Sequence, residues 1–280
     1  EHELAMKRRG VPYLDILAQG GGILSTGRMT RQASEDALVQ KAGAALEEML
    51  SLGVTTCEAK SGYGLDRQTE LKQLAVIRRL GRTQPVELAA TYLGAHAVPE
   101  EYKACRDEYI RLMTEEMIPL VAREGLAEFC DVFCETGVFT ASESEQILGA
   151  ALAHGLKVKI HTDEIDAIGG TELAGALSAV SAEHLIAATD RGIAALAKGG
   201  TVAVLLPATS FYLGKPYARA RDMIAAGVPV AVASDFNPGS CPSLNLQLVM
   251  NLACWNYRLT PEEVLTAATL NAAAAICRAD

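Results

Sequence analysis

No apolar run in this 280-residue chain reaches the 18 or so residues that a membrane span requires, because charges, Gly or Pro interrupt each one. A basic stripe is also missing. Lys and Arg total 25 against 34 Asp and Glu, a net charge of −9, which excludes a sequence-independent grip on nucleic acid phosphates. Neither a membrane nor nucleic acid is therefore an expected partner. The opening stretch EHELAMKRR lacks the apolar core of a secretory signal, and no linker, low-complexity segment or charge block divides the chain. With half the residues apolar, this length suits one α/β barrel. The seven cysteines are odd in number and scattered, so they read as reduced thiols and the expected compartment is the cytoplasm. Cys130 and Cys134 have metal-like spacing. Inside a strand they share one face with no second Cys/His pair nearby, and core packing is the better reading.

What is present is a repeating plan. From residue 53 a Gly or Pro, a β-rich run, a polar loop and an amphipathic helical stretch recur, with runs GVTTCEAK, PVELAATYLGAH, FCDVFCETG, LKVKIHTDE, LSAVSAEHL, GTVAVLLP and VPVAVASDFN. Near-continuous apolarity suits strands buried on both faces of a parallel sheet. Helices are legible between them: SEDALVQKAGAALEEMLSLG opens on a Ser N-cap and closes on Gly, and TASESEQILGAALAHG and ATDRGIAALAKGG are punctuated alike. An open doubly wound sheet would show a Gly-rich phosphate turn after an early strand. The run Gly20-Gly21-Gly22 follows no clear strand and reads as a loop. The expected fold is a TIM-type (β/α)8 barrel with seven strands visible, the eighth either absent or supplied from residues 10–30.

The titratable groups fall where barrel enzymes keep their chemistry, at the C-terminal ends of strands. His96 ends TYLGAH, His161 ends VKIH, His184 sits in SAEHL, Asp235 ends VAVASD, and Glu164 follows His161 by three residues. His2 and His154 read as solvated or capping. Any one of the five could be structural, but packing alone does not favour burying three imidazoles and two carboxylates at one rim. Imidazole and carboxylate without thiolate suit Zn²⁺ or Fe²⁺ with a position open for water, and hydrolysis follows from that. The turn Asp235-Phe-Asn-Pro-Gly-Ser240 adds neutral hydrogen-bonding groups that could orient a polar ring, and Tyr63 in KSGYGL could add a phenol.

The motifs QGGGILSTGR, GVTTCEAKSGYGL, YLGAHAVPEEY, EEMIPLVAREGLAEFCDVFCETGVF, KIHTDE, SAEHL and SDFNPGS together resemble the imidazolonepropionases of the amidohydrolase superfamily over nearly the whole chain. The resemblance implies ring opening of 4-imidazolone-5-propanoate by water at a Zn or Fe centre, giving N-formimidoyl-L-glutamate in histidine degradation. It implies that His161 and Asp235 are metal ligands. Glu164 and His184 would serve the water and the ring nitrogen, with Asp235 the third candidate base. Tyr63, His96, Asn237, Gly239 and Ser240 would contact substrate, and a homodimer is the expected assembly. Ser240 stands where the family often has Thr, which keeps the hydroxyl. The family's first strand ends in a His-x-His pair that supplies two more ligands, closely followed by an Arg for the substrate carboxylate, and this sequence has no His-x-His. Residue 1 is Glu, and PEEVLTAATLNAAAAICRAD stops inside a helix-like pattern, so both ends read as cut. The expectation is one incomplete amidohydrolase barrel domain over residues 1–280, without strand one and the small β-sandwich domain, and with weakened metal binding; the alternatives are another cyclic-amide or amine hydrolase of the same superfamily, or a metal-free, inactive remnant barrel.

Overall fold

Seven runs of small and β-branched residues form strands, and each is followed by a helix that returns the chain in the same direction. The computed structural model describes residues 21–279, with residues 5, 6 and 9–11 ahead of them. The strands are β1 (Thr56–Lys60), β2 (Glu87–Ala95), β3 (Phe129–Cys134), β4 (Lys157–Thr162), β5 (Ser181–His184), β6 (Val202–Leu205) and β7 (Val230–Val232). All neighbours pair in parallel, in the order β1 to β7. These are the seven strands expected from the sequence. Parallel pairing buries both faces, which is why β3 can be buried at all six positions. Among the described residues β1 and β7 are the open edges of the sheet. Of the segment 10–30 that might have supplied another strand, residues 23–30 belong to helix α1 (Ile23–Gln32) and 12–20 lie outside the described residues, as does Gly20.

Helices α2 (Glu35–Ser51) and α3 (Arg67–Thr83) flank β1. The predicted Ser cap is in place, with Ser34 Oγ accepting from Ala37 N at 3.2 Å. Helices α4 (Arg106–Arg111), α5 (Ile118–Arg123), α6 (Ala141–Ala153), α7 (Gly170–Ala176) and α8 (Asp190–Gly199) follow, α6 opened by a Thr140/Glu143 capping box and α8 closed by Gly200 at φ +69°. Next come α9 (Pro207–Leu213), α10 (Ala220–Ala225), α11 (Leu246–Asn256), α12 (Pro261–Ala268) and α13 (Leu270–Ala274). The exposed His154 caps α6, as read from the sequence. Cys130 and Cys134 are buried in the main apolar core. Among the described residues no helix is long and apolar enough to cross a membrane.

One irregularity aims a functional residue. The β2–β3 register shifts between Tyr92 and Ala95, and Tyr109 Oη on α4 donates to Gly94 O at 2.7 Å. Any side chain at Gly94 would collide with the Tyr92 hydroxyl. The shift delivers His96 just past the end of β2.

Candidate active site

His96, His161, Glu164, His184 and Asp235 line one cavity of about 1470 Å³, together with Tyr63, Asn237, Gly239 and Ser240. The cavity lies over the C-terminal strand ends and extends along the gap between β1 and β7. The five residues singled out from strand-end positions thus share one mouth. Ring centroids are 6.3 Å apart for His96 and His161 and 5.3 Å for His161 and His184.

The backbone is bent to present them. His184, Leu185 and Asp235 have φ of +74°, +58° and +52°, as does Asp163 at +53°, the left-handed region that costs a non-glycine residue on the order of 1 kcal/mol or more. Local bonds hold these turns. Asp163 accepts from Thr162 Oγ1 at 2.8 Å and Thr171 Oγ1 at 2.6 Å, and Leu185 N donates to Thr162 O at 3.1 Å. Glu135, at the end of β3, accepts from the amides of Ile165 at 2.9 Å and Asp166 at 3.1 Å, which pins the turn that carries Glu164.

Glu164 is 12 % exposed and sits between the His184 imidazole and the Lys215 ammonium. His184 Nε2 is 3.7 Å from Oε2, and Lys215 Nζ donates to Oε1 at 2.9 Å. Burial alone would raise its pKa. His184 and Lys215 outweigh burial and hold the carboxyl below its ordinary value. Asp235 Oδ2 accepts from Thr209 Oγ1 at 2.8 Å. The Asn237 amide is engaged in its own turn, with Nδ2 donating to Asp235 O and Ser240 Oγ and Oδ1 accepting from the amides of Gly239 and Ser240. It therefore shapes the rim rather than presenting an open amide.

His96 Nδ1 lies 3.0 Å from Gly62 O, which can only accept, so Nδ1 carries the proton and Nε2 is the bare nitrogen. Burial, with the nearby His161, pushes its pKa down to about 4, so the ring is neutral. Tyr63 packs edge-on to it at 5.1 Å. The Tyr63 loop is organised by a buried carboxylate: Glu70 accepts from the amides of Gly62 at 3.0 Å, Gly64 at 2.8 Å and Leu65 at 2.9 Å. Gly62 is at φ +102°, and a Cβ there would meet Leu93 O at 2.7 Å.

Beneath the mouth the barrel interior holds a charge network that the sequence reading did not single out. Lys60 Nζ donates to Glu58 Oε1 at 2.6 Å and Asp131 Oδ2 at 2.9 Å, and the fully buried Lys159 donates to Glu58 Oε2 at 2.9 Å. His161 Nδ1 lies 2.9 Å from Asp131 Oδ2 and 4.0 Å from Glu183 Oε2. Its contact with Asp131 is short and buried, that of an ion pair rather than a formed hydrogen bond. Burial would lower the His161 pKa, but Asp131 outweighs it and raises the value to about 8. Asp131 is itself held far below the usual carboxylate range by His161 and Lys60, which outweigh its burial.

Asp131, His161 and Glu183 offer ligand atoms within 4.8 Å of one another, the spacing of a metal site. Lys60 and Lys159, the latter 3.9 Å from Glu183 Oε1, already stand where a cation would balance these carboxylates. Asp235, the other expected ligand, is not one of this trio but lines the same cavity. The donors facing the cavity, imidazole from His161 and carboxylate from Asp235, fit a borderline divalent ion.

A parallel barrel-type sheet with imidazoles and carboxylates at its C-terminal mouth defines the class of metal-centred barrel scaffolds. The chain belongs to the amidohydrolase family, whose profile matches residues 8–280. It is 55% identical over 280 residues to the imidazolonepropionase of Alkaliphilus metalliredigens and 56% identical over 277 to that of Bacillus velezensis, in each case over 99% of this chain. It spans 66% of the length of both relatives. The resemblance read from the motifs therefore extends along the whole chain. Solved structures at low identity share the fold: a zinc-bound adenosine deaminase from Xanthomonas campestris (TM-score 0.70, 19% identity, 96% of this chain, 62% of that one) and a guanine-bound guanine deaminase from C. acetobutylicum (0.69, 13%, 90% and 64%).

Proposed function

We propose that the chain carries the hydrolytic barrel of an imidazolonepropionase, opening 4-imidazolone-5-propanoate with water to give N-formimidoyl-L-glutamate in histidine degradation. The observation that supports this most is identity of 54–56% along the whole chain to proteins of that name, joined to a mouth where the expected imidazoles and carboxylates meet. In this reading His161 and Asp235 hold one Zn or Fe ion, which when bound lowers the pKa of water toward 7. Hydrolysis adds water across a ring C–N bond, oxygen to the carbonyl carbon and a proton to the released nitrogen. Glu164, kept ionised by its partners, accepts the proton of the attacking water, and His184 passes one to the nitrogen. Asp235 is the third group that can hold that water or its proton. The neutral His96, Tyr63 and the turn of Asn237, Gly239 and Ser240 position the ring. The chain acts in the cytoplasm as one barrel domain over residues 1–280 and pairs as a homodimer.

The test supplies Zn or Fe to the purified chain and offers imidazolone propanoate, a hydantoin-type ring and a purine in parallel. Formimidoylglutamate from the first alone supports the reading, with Glu164→Gln lowering the rate about 10²- to 10⁴-fold. Turnover of another ring in its place overturns it, as does a chain shown by metal analysis to be loaded that leaves the imidazolone intact.

A further inference from the structure

Nδ1 of His161 is buried against carboxylate oxygens, Asp131 Oδ2 at 2.9 Å and Glu183 Oε2 at 4.0 Å. Asp131 is fully buried, and each of its oxygens already accepts one hydrogen bond with a lone pair to spare. Oδ1 accepts from Val132 N at 2.7 Å, and Oδ2 accepts from the Lys60 ammonium at 2.9 Å. The ammonium fixes Asp131 as an ionised acceptor, so the atom facing Nδ1 cannot give a proton to it. A histidine whose Nδ1 faces only an acceptor carries its hydrogen there. Its Nε2 lone pair is then left for the cavity that His161 lines.

We infer that Asp131, held by Lys60, is the positioning residue that sets the tautomer and ring direction of His161 so that Nε2 is the nitrogen offered to a ligand in the active-site cavity. The chain Lys60–Asp131–His161 runs across three strands, from β1 through β3 to β4, so the rigid sheet sets the direction of the ring. Carboxylate partners of this kind commonly change the metal affinity of the histidine they hold about 10- to 100-fold. This inference gives Asp131 a part in the proposed function through His161, and the two are tested apart.

The experiment uses the full chain labelled with ¹⁵N-histidine, metal-free, at about pH 9.5, above the elevated His161 value, where the imidazole is neutral. Long-range ¹H–¹⁵N correlation reads which nitrogen holds the proton. The expected result is a single Nδ1–H tautomer for His161 in the unmodified chain, which needs no variant to fold. Asp131→Asn, whose amide can donate as well as accept, is expected to convert that signal to a mixture or to the Nε2–H form. A merely structural ion pair would leave the tautomer unchanged while lowering stability. An Nε2–H tautomer in the unmodified chain overturns the inference, as does an unaltered Nδ1–H form in a folded Asp131→Asn variant. Zinc chloride is then titrated into the same samples. A shift at His161 Nε2, weaker by about 10- to 100-fold in Asp131→Asn, supports both readings. The expected tautomer with no zinc response keeps the positioning role and sinks His161 as a metal ligand.

Discussion

Lys215 Nζ donates to Glu164 Oε1 at 2.9 Å, joining residues 51 positions apart at the mouth of the cavity. With His184 it holds Glu164 ionised against the effect of burial. Removing the ammonium in Lys215→Met leaves that carboxylate with one partner. The Glu164 pKa is expected to rise, read by ¹³C NMR of the side-chain carboxyl. Because the folded value is depressed, the stability it contributes is present above the ordinary carboxyl range and is lost as pH falls through the folded value; the variant loses it at higher pH. An unmoved carboxyl titration would refute Lys215 as the partner that matters.

His96 and His161 are expected to tilt the pH dependence of stability in opposite directions. His161, raised from 6.5 to about 8, contributes stability that is complete below 6.5 and lost as pH rises through 8. The change is worth about 2 kcal/mol. His96, lowered to about 4, favours the folded state above 6.5 and loses that contribution as pH falls toward 4. Urea unfolding from pH 4 to 9 is expected to show the alkaline decline flattened in His161→Gln and the acid decline flattened in His96→Asn. Equal slopes in both variants and the parent chain would show that neither ring is placed as described.

The strands and the mouth residues were legible because both leave one-dimensional signals, apolar runs bounded by Gly or Pro and polar residues at their ends. The interior network left a fainter one. Glu58 and Lys60, and likewise Lys159 and His161, stand two apart inside apolar runs and so share one face of a strand. A charge at period two within a buried strand has no solvent to face, and this could have marked the network. Lys215, Glu70 and Glu135 act through loops whose path no local pattern specifies. Asn237 was expected as an open hydrogen-bonding group, and the turn that encloses its amide depends on backbone angles at Asp235 that sequence spacing does not reveal.

Glu70 is expected to control the order of the Tyr63 loop from beneath it. Its carboxylate takes up amides that would otherwise be buried without an acceptor, so Glu70→Ala is expected to cost on the order of 3 kcal/mol. Amide hydrogen exchange at residues 62–65 is expected to accelerate more than at β2. Uniform acceleration across the sheet would mean a general loss of stability rather than a freed loop.

The Glu58–Lys159 pair buries the Lys159 Nζ with no solvent exposure, 2.9 Å from its carboxylate. Breaking such a pair from one side leaves a buried charge and typically costs about 3–5 kcal/mol, whereas removing both charges can be close to neutral. Lys159→Met alone is expected to lower stability by less than that, because Glu58 retains Lys60. Adding Glu58→Gln removes that carboxylate's charge while Lys60 keeps Asp131, and is expected to recover most of the loss. Urea unfolding of the two single variants and the double variant forms a cycle whose coupling term isolates the pair. Additive effects would show that Glu58 answers to Lys60 alone and that Lys159 is stabilised by another partner, with Glu183, at 3.9 Å, the next carboxylate in reach.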